Sequence, residues 1–339
     1  MYLAPVFEYF SDPQVTEIMV NSFDQIYIER RGQIEKVDAT FKNEEAVQTL
    51  IHMIATNTGQ SSDPLNHPIV DARLPDGSRV CGVLKPWSAG GSSLSIRIFP
   101  KSVLTASDLR QGGSFTDEMF EFLKLAVKVR SNILVSGSTG SGKTTLLNVL
   151  SSFIPEEERV VTVEDTEELK IGVPNCVQLV SANRKKDEGD AQDTSMPAFI
   201  KTALRQNPDR IIVGEIRDMN AASAFLQAIN TGHNGCASTL HANSCFDALL
   251  RLQNFLGATG LEVSYVESQV RSNLHLLIQA EKVPNVGRVI VSITEVRGNE
   301  TFELWGFDYV QGVHTKNPDS FEGSLVLGLA KRYGFDRGS

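Results

Sequence analysis

A glycine-rich loop at residues 137–144, with the sequence GSTGSGKT, constrains the fold of this chain more than any other segment. It follows an apolar run, NILVSG, and precedes a helical pattern, TTLLNVLSSFI. GxxxxGK[ST] between a strand and a helix is typical of phosphate-binding loops, in which backbone N–H groups and the helix N-terminus face phosphate oxygens. A chance glycine-rich turn is the alternative, but the flanking strand and helix are both present. We therefore expect the loop to bind a nucleoside triphosphate.

The side chains of this loop suit ATP and Mg²⁺ as cofactors. Lys143 can reach the β- and γ-phosphates, and the Thr144 hydroxyl is a suitable ligand for Mg²⁺. The residues predicted to bind the nucleotide here are Gly137, Ser138, Thr139, Gly140, Ser141, Gly142, Lys143, Thr144 and Thr145.

Binding alone does not establish hydrolysis, which needs acidic groups to hold Mg²⁺ through water and to orient the attacking water. Two predicted strands end in such acids, within VTVEDTEEL (161–169) and RIIVGEIRD (210–218). The carboxyl ends of strands in an open parallel sheet converge on the ligand crevice. We therefore expect Glu164, Asp165 and Glu215 near the γ-phosphate, although any one of them could be an ordinary surface carboxylate.

The rest of the chain predicts an α/β protein of two domains. Residues 1–100 predict a small α+β domain, with a helix over 43–58 and a hairpin over 68–84. Residues 101–109 are expected to be a linker. Residues 110–339 alternate helical patterns with short apolar strands, which favours a mainly parallel, doubly wound sheet. The predicted strands of that sheet are 132–137, 159–165, 176–182, 210–216 and 235–242, with further strand-like patterns over 275–310.

Composition excludes several classes of protein. Among 339 residues, 41 Asp+Glu exceed 32 Lys+Arg, so the net charge of −9 disfavours general binding to nucleic acid or anionic lipid. The four cysteines form no CxxC pair, which argues against a zinc site or a disulfide framework. Neither a secretory signal nor an apolar run long enough to span a bilayer is evident. We expect a cytoplasmic protein, and a solvated loop over 181–194.

Four segments in order resemble the secretion superfamily ATPases of type II, type IV and pilus machines. GSTGSGKTTLLN, VEDTEEL, LRQNPDRIIVGEIRD and NTGHNGCASTLHANS are similar to that family's Walker A, Asp box, Walker B and His box. The N-terminal segments DPQVTEIMVN, DARLPDGSRV and SLSIRIF resemble the tight-adherence (Tad) pilus ATPases of the CpaF type. The resemblance covers roughly residues 5–300.

The resemblance implies a RecA-like P-loop ATPase domain whose nucleotide is capped by the N-terminal domain. It further implies a homohexameric ring that powers pilus assembly, pilus retraction or protein secretion. The expected partner is an inner-membrane platform protein, through which the ATPase would lie at the membrane periphery. No nucleic-acid partner is expected.

The resemblance also implies functions for individual residues. Glu164 and Glu215 would share water activation and contacts to metal-bound water, without a division between them. His241 and His233 would sense the γ-phosphate, although a buried histidine that ties two loops together is the alternative for each.

Arginines are implied as well, because a guanidinium can neutralise charge on the transferred phosphoryl group. Arg79 and Arg97 match N-terminal positions that the family uses against the phosphates, and Arg217 could act beside the second acidic strand. Arg205 flanks the same strand and, like Arg217, could act there or across a subunit boundary, and Arg73 is a weaker candidate. For all of them a surface or interdomain salt bridge is the alternative.

Departures from the family pattern and competing functions remain. Gln206 and Asn207 stand where the family more often has Met and Arg, the chain starts near the shared core, and no tetracysteine module is present. The missing module favours the Tad, type IV secretion and retraction branches.

Two other functions are alternatives to a pilus or secretion motor. One is a nucleotide-dependent switch that hardly hydrolyses ATP, and the other is a nucleic-acid motor.

Overall fold

The computed structural model describes residues 4–30, 32–99, 104–181 and 193–335. The chain separates into two compact units, Met1–Ser102 and Val103–Ser339. Residues 104–109 of the predicted linker are described, and the last four of them belong to a helix, Ala106–Gln111. Thr105 and Asp108 form a capping box at the start of this helix. Most of the loop predicted over 181–194 lies outside the described residues.

The first unit is a six-stranded antiparallel sheet with one long helix on one face. A 3₁₀ turn, Ala4–Val6, precedes its elements, which are α1 (Phe7–Ser11), β1 (Val15–Ser22), β2 (Gln25–Arg30), β3 (Gln33–Val37), α2 (Glu44–Asn57), β4 (Ile69–Arg73), β5 (Arg79–Val83) and β6 (Ser93–Arg97). The strand order is β3-β2-β1-β6-β5-β4. Asn43 caps α2 by accepting a hydrogen bond from the Ala46 N–H at 3.1 Å. Every second residue of a strand faces the core, as the period of two in a strand requires. Ile18 on β1 and Ile96 on β6, for example, are both fully buried.

The second unit contains the remaining elements. Its helices are α3 (Ala106–Gln111), α4 (Asp117–Lys128), α5 (Lys143–Ser151), α6 (Met196–Ala203), α7 (Met219–Asn230), α8 (Cys245–Gly257), α9 (Val263–Asn273) and α10 (Leu325–Tyr333), with a 3₁₀ turn at Pro318–Phe321. Its strands are β7 (Ile133–Gly137), β8 (Val160–Glu164), β9 (Cys176–Val180), β10 (Arg210–Val213), β11 (Ala237–Leu240), β12 (Leu276–Val283), β13 (Gly287–Arg297), β14 (Glu300–Asp308) and β15 (Val313–Lys316).

These strands form one nine-stranded sheet in the order β15-β14-β13-β12-β7-β11-β10-β8-β9. Six strands run parallel to one another, in the spatial order β12-β7-β11-β10-β8-β9. The other three, β13, β14 and β15, extend the sheet beyond β12 with antiparallel pairing. Strands β7, β8, β10 and β11 are buried along their whole length, which explains their continuous apolar runs. Helices cover both faces, so the predicted α/β fold with a mainly parallel, doubly wound sheet is confirmed.

Helix α10, for which the sequence has no clear pattern, is held by one buried carboxylate on β13. Glu295 is fully buried and accepts hydrogen bonds from Ser324 Oγ at 2.8 Å and from the Leu325 and Val326 N–H groups at 3.1 Å. Arg297 lies 2.6 Å from the same carboxylate. The negative charge therefore caps the helix N-terminus inside the protein. Within the described part of the chain, no helix is long and apolar enough to cross a membrane.

Candidate functional site

The glycine-rich loop joins β7 to α5 and lies against the neighbouring strand β12. Gly137, at the end of β7, has φ +154°. A Cβ at this position would lie 2.2 Å from the Ala280 carbonyl oxygen and 2.5 Å from Ser141 Oγ. Real Cβ atoms do not approach that closely, so glycine is required where the loop leaves the sheet.

The helix that follows the loop begins without a side-chain cap. Helices α2, α4, α7 and α8 each have a side-chain acceptor, from Asn43, Thr116, Asp218 and Ser244 respectively. Helix α5 instead begins after Gly142, at φ +95°, which supplies no acceptor. Its first N–H groups and the positive end of its dipole are therefore open to an anion.

Lys143 in the first turn of α5 contacts His241, which follows β11, and His241 in turn contacts Glu215, which follows β10. Its ammonium donates to the Ser138 carbonyl at 2.8 Å and lies 3.3 Å from His241 Nδ1. His241 Nε2 in turn lies 2.9 Å from Glu215 Oε1. An ammonium can only donate, so Nδ1 is the acceptor and Nε2 carries the ring proton. Burial and the adjacent Lys143 charge lower the pKa of His241, which keeps this tautomer neutral.

Glu215 and Asp165 share an arginine beside this link. Arg217 Nε donates to Glu215 Oε2 at 2.8 Å, and its Nη1 lies 3.4 Å from Asp165 Oδ2. Ser181 Oγ donates to the other Asp165 oxygen at 2.6 Å. Arg217 therefore joins the ends of β8 and β10.

Glu164 at the end of β8 is almost completely buried, and only one of its two carboxylate oxygens has hydrogen-bond partners among the described residues. Its Oε1 accepts hydrogen bonds from the Glu168 and Leu169 N–H groups, each at 2.9 Å. Its Oε2 is buried and has no hydrogen-bond partner among the described residues. Burial raises the pKa of Glu164 to about 7, even though the two backbone N–H groups oppose the shift. A carboxylate held in this way has one oxygen ready for a cation or an ordered water.

Two residues that were not selected from the sequence contact Glu164 or the segment that follows it. Asn148 on α5 donates to the Glu168 carbonyl at 3.1 Å and accepts from the Lys170 N–H at 2.8 Å. Gly214 leaves room for Glu164, because a Cβ there would lie 3.1 Å from Glu164 Cγ. The GE sequence, where many P-loop enzymes have DE, therefore leaves space beside the Glu164 side chain that a larger residue would crowd. Asn148 looks like an ordinary polar helix residue in the sequence, and no signal could have selected it.

The predicted arginines of the first unit form a row across its sheet. Arg73 pairs with Arg79 between β4 and β5, and Arg79 pairs with Arg97 between β5 and β6. Glu17 on β1 is the next residue in the row, opposite Arg97. The three arginines are at least partly exposed, on the face opposite the core of this unit.

The structure does not bring His233 to the phosphate-binding loop of its own chain. His233 precedes β11 and contacts Thr231 Oγ1 at 3.1 Å, whereas His241 follows β11. Because β11 runs parallel to β7, His233 lies at the amino end of the strand, and the loop lies at the carboxyl end. The predicted function of His233 in this site is corrected for that reason. Arg205, the other arginine that flanks the second acidic strand, is exposed two residues after the end of α6.

A parallel sheet with a strand–loop–helix unit, and with lysine, histidine and carboxylates at its carboxyl edge, defines a P-loop protein of the RecA-like class. The chain belongs to the Type II/IV secretion system protein family, whose sequence model matches residues 2–283. The predicted membership of the secretion ATPases is therefore confirmed, and the chain is an ATPase.

Individual relatives are similar to this chain over most of its length. An uncharacterized protein of Methanocaldococcus jannaschii is 38% identical over 232 residues, which are 66% of this chain and 32% of that protein. The conjugal transfer protein TrbB of Rhizobium radiobacter is 30% identical over 290 residues, 85% of each chain. The type IV secretion system protein PtlH of Bordetella pertussis is 36% identical over 278 residues, 74% of this chain and 79% of PtlH. The chain thus spans about a third of the first relative and most of the other two.

Solved structures share the fold. The Legionella pneumophila ATPase DotB matches with a TM-score of 0.64 and 21% identity, over 100% of this chain and 88% of DotB. The pilus retraction motor PilT with bound ADP matches with a TM-score of 0.62 and 20% identity, over 88% of this chain and 84% of PilT. At these identities the likeness shows the architecture alone.

Proposed function

We propose that this protein is a hexameric motor that hydrolyses ATP to power a Tad-like pilus or a type IV secretion machine. The observation that carries the proposal is the Lys143–His241–Glu215 link at the uncapped start of α5. It joins a phosphate-binding loop to a carboxylate on the neighbouring part of the sheet, as hydrolysis requires.

The nucleotide phosphates would lie over the loop from Gly137 to Thr145. The open N–H groups of α5 and the Lys143 ammonium would face the β- and γ-phosphate oxygens. Because Lys143 now donates to the Ser138 carbonyl, binding would exchange this neutral acceptor for an anionic one. That exchange favours binding, since hydrogen bonds between charged groups are stronger than those to neutral ones.

The donors at the site fit Mg²⁺. Among the residues described, no group of three His, Cys, Asp or Glu side chains could hold a metal ion by itself. The Thr144 hydroxyl, the nucleotide phosphates and waters on Glu164 and Glu215 would therefore supply its ligands. The unpartnered Oε2 of Glu164 suits a metal-bound water. Mg²⁺ would neutralise charge on the phosphates.

Glu215 and Glu164 have different surroundings and would act differently on water. Glu215 has its Oε1 atom 2.9 Å from His241 Nε2, and its Oε2 atom accepts a hydrogen bond from the Arg217 guanidinium. His241 would report the γ-phosphate to Glu215, because its two ring nitrogens contact Lys143 on one side and Glu215 on the other. Glu164, with a raised pKa, would exchange a proton near neutral pH.

Arg79 and Arg97 would contribute positive charge against the phosphates, and Arg217 would do so from beside β10. Like charges at directly opposed positions of a sheet repel one another. A row of arginines on an exposed face is therefore suited to an anion, which supports the family-based expectation that the first unit caps the nucleotide.

The proposed oligomeric state and partners are inferred from the family resemblance. A homohexameric ring at the cytoplasmic side of an inner membrane, docked on a platform protein, agrees with the family resemblance. The description of PtlH as a type IV secretion system protein supports a machine of this kind. The net charge of −9 supports a partner other than nucleic acid.

The test is Mg·ATP turnover per subunit against protein concentration, with the mass of the particles measured on the same samples. We expect specific activity to rise as a six-subunit species forms. Lys143→Ala should abolish both turnover and stabilisation by nucleotide, and Glu215→Gln should keep binding while it lowers turnover by at least about a hundredfold, the scale of a lost acid–base group. A low, constant rate in a monomer, or unchanged turnover in Glu215→Gln, would contradict the motor and favour a switch.

A further inference from the structure

We propose that Arg288 is a positioning residue that holds the phosphate-binding loop in the form that accepts polyphosphate. The inference rests on the proposed nucleotide site and adds a residue from a different part of the sheet. Arg288 lies on β13, after the turn that joins β12 to β13, and 148 residues beyond the loop glycine that it contacts.

Arg288 contacts the loop in two ways. Its Nε donates a hydrogen bond to the Gly140 carbonyl at 2.8 Å. Its aliphatic stem covers Gly142, where a Cβ would lie 3.4 Å from Arg288 Cδ. The guanidinium and the stem thus hold the loop immediately before α5.

The contact with Gly140 controls the direction of the next N–H group. The Gly140 carbonyl and the Ser141 N–H belong to one planar peptide unit, so they point in opposite directions. The Ser141 N–H faces the Ser138 carbonyl at 3.3 Å, the same oxygen that accepts from Lys143 Nζ. Holding the carbonyl outward therefore keeps this N–H on the side of the loop where the lysine ammonium lies.

Gly140 itself offers little resistance to a peptide flip. It has φ +73° and nothing within 4 Å of its Cβ direction, so neither a side chain nor a neighbour fixes it. Arg288 supplies the missing restraint, and its own backbone is well anchored. Ser114 Oγ donates to the Arg288 carbonyl at 2.7 Å, and the Ile290 N–H donates to the Ser114 carbonyl at 2.9 Å.

The test is the affinity for ATP and for inorganic tripolyphosphate in Arg288→Met, which keeps a stem over Gly142 and removes the donor. We expect both affinities to fall equally, by about three- to tenfold, the range for the loss of one hydrogen bond of ordinary net strength. The maximal turnover and the melting temperature should change little, so that the loss appears in KM. Arg288→Lys, which restores a donor, should recover part of the affinity.

Lys282→Gln is the matched control, because Lys282 is paired with Arg288 across the hairpin and carries the same charge. We expect this variant to bind both probes normally. Unchanged binding in Arg288→Met, weakening for ATP alone, or equal weakening in Lys282→Gln would each overturn the positioning function. Failure of the natural chain to bind either probe would overturn the proposed function and this inference together.

Discussion

Replacing Glu164 by Gln should stabilise the protein at pH 8 while it impairs turnover. The carboxyl is buried, and its pKa rises from 4.5 in the unfolded chain to about 7 in the fold. One pKa unit corresponds to about 1.4 kcal/mol, so ionised Glu164 costs the folded state about 3 kcal/mol above pH 7. Glutamine has nearly the same shape and no charge to bury, so the substitution removes this cost.

The size of the effect depends on pH. Below pH 4.5 the carboxyl is protonated in both the folded and the unfolded state, and ionisation costs nothing. Between pH 4.5 and 7 the unfolded chain loses its proton first, so the free energy of unfolding falls as the pH rises. The advantage of Glu164→Gln should therefore be about 1 kcal/mol at pH 5.5 and about 3 kcal/mol at pH 8.

The assay is thermal unfolding from pH 5.5 to 8 with EDTA and without nucleotide, so that no cation compensates the carboxylate. For a unit of this size 3 kcal/mol corresponds to a rise in Tm of roughly 6–12 °C at pH 8. Glu156→Gln, at an exposed position before β8, should show no such difference. A Tm difference independent of pH, or a Glu164→Gln protein that is less stable at pH 8, would refute the assignment of burial as the cause.

Two further outcomes follow from the structure. Glu295→Ala should lower the free energy of unfolding by about 3–5 kcal/mol in denaturant titrations, because it leaves Arg297 and the start of α10 without their buried partner; a loss below about 1 kcal/mol would contradict the cap, taken against the typical single-mutation effect. Arg97→Ala should leave the Kd for ATP nearly unchanged and slow turnover by at least about tenfold, since its charge would act mainly on the transferred phosphoryl group; an equal loss of affinity would instead indicate a contact in the ground state.

Much of the fold could be predicted because its signals are local. The strand, loop and helix around 137–144 are continuous in sequence, and the fully apolar strands predict a parallel sheet covered on both faces. The hairpin at 68–84 and the helix at 43–58 have their own turn and cap residues, so their positions agree with β4, β5 and α2. Helix α10 could not be predicted in this way. Ser324 is its local N-cap, but the N–H groups of Leu325 and Val326 are satisfied by Glu295, a residue of a distant strand.

The sequence by itself determined which chemical groups are available and near which strand ends they lie. Glu164 and Glu215 could be selected because each lies at the end of an apolar strand, and strands of a parallel sheet end at a common edge, whereas His241 was selected from the family resemblance. Only the tertiary structure decided which of them meet. His241 contacts Lys143 because β11 is the neighbour of β7, and His233 lies at the far end of the same strand.

The same distinction explains the remaining features of the site. The raised pKa of Glu164 comes from burial beneath residues far apart in the chain, and the contact of Arg288 with Gly140 requires the β12–β13 hairpin to lie beside the loop. Strand order is set by the packing of apolar faces over the whole unit, which has no local signature. The chemistry of this ATPase can therefore be predicted from short motifs, whereas its hydrogen-bond connections and charge states depend on the assembled sheet.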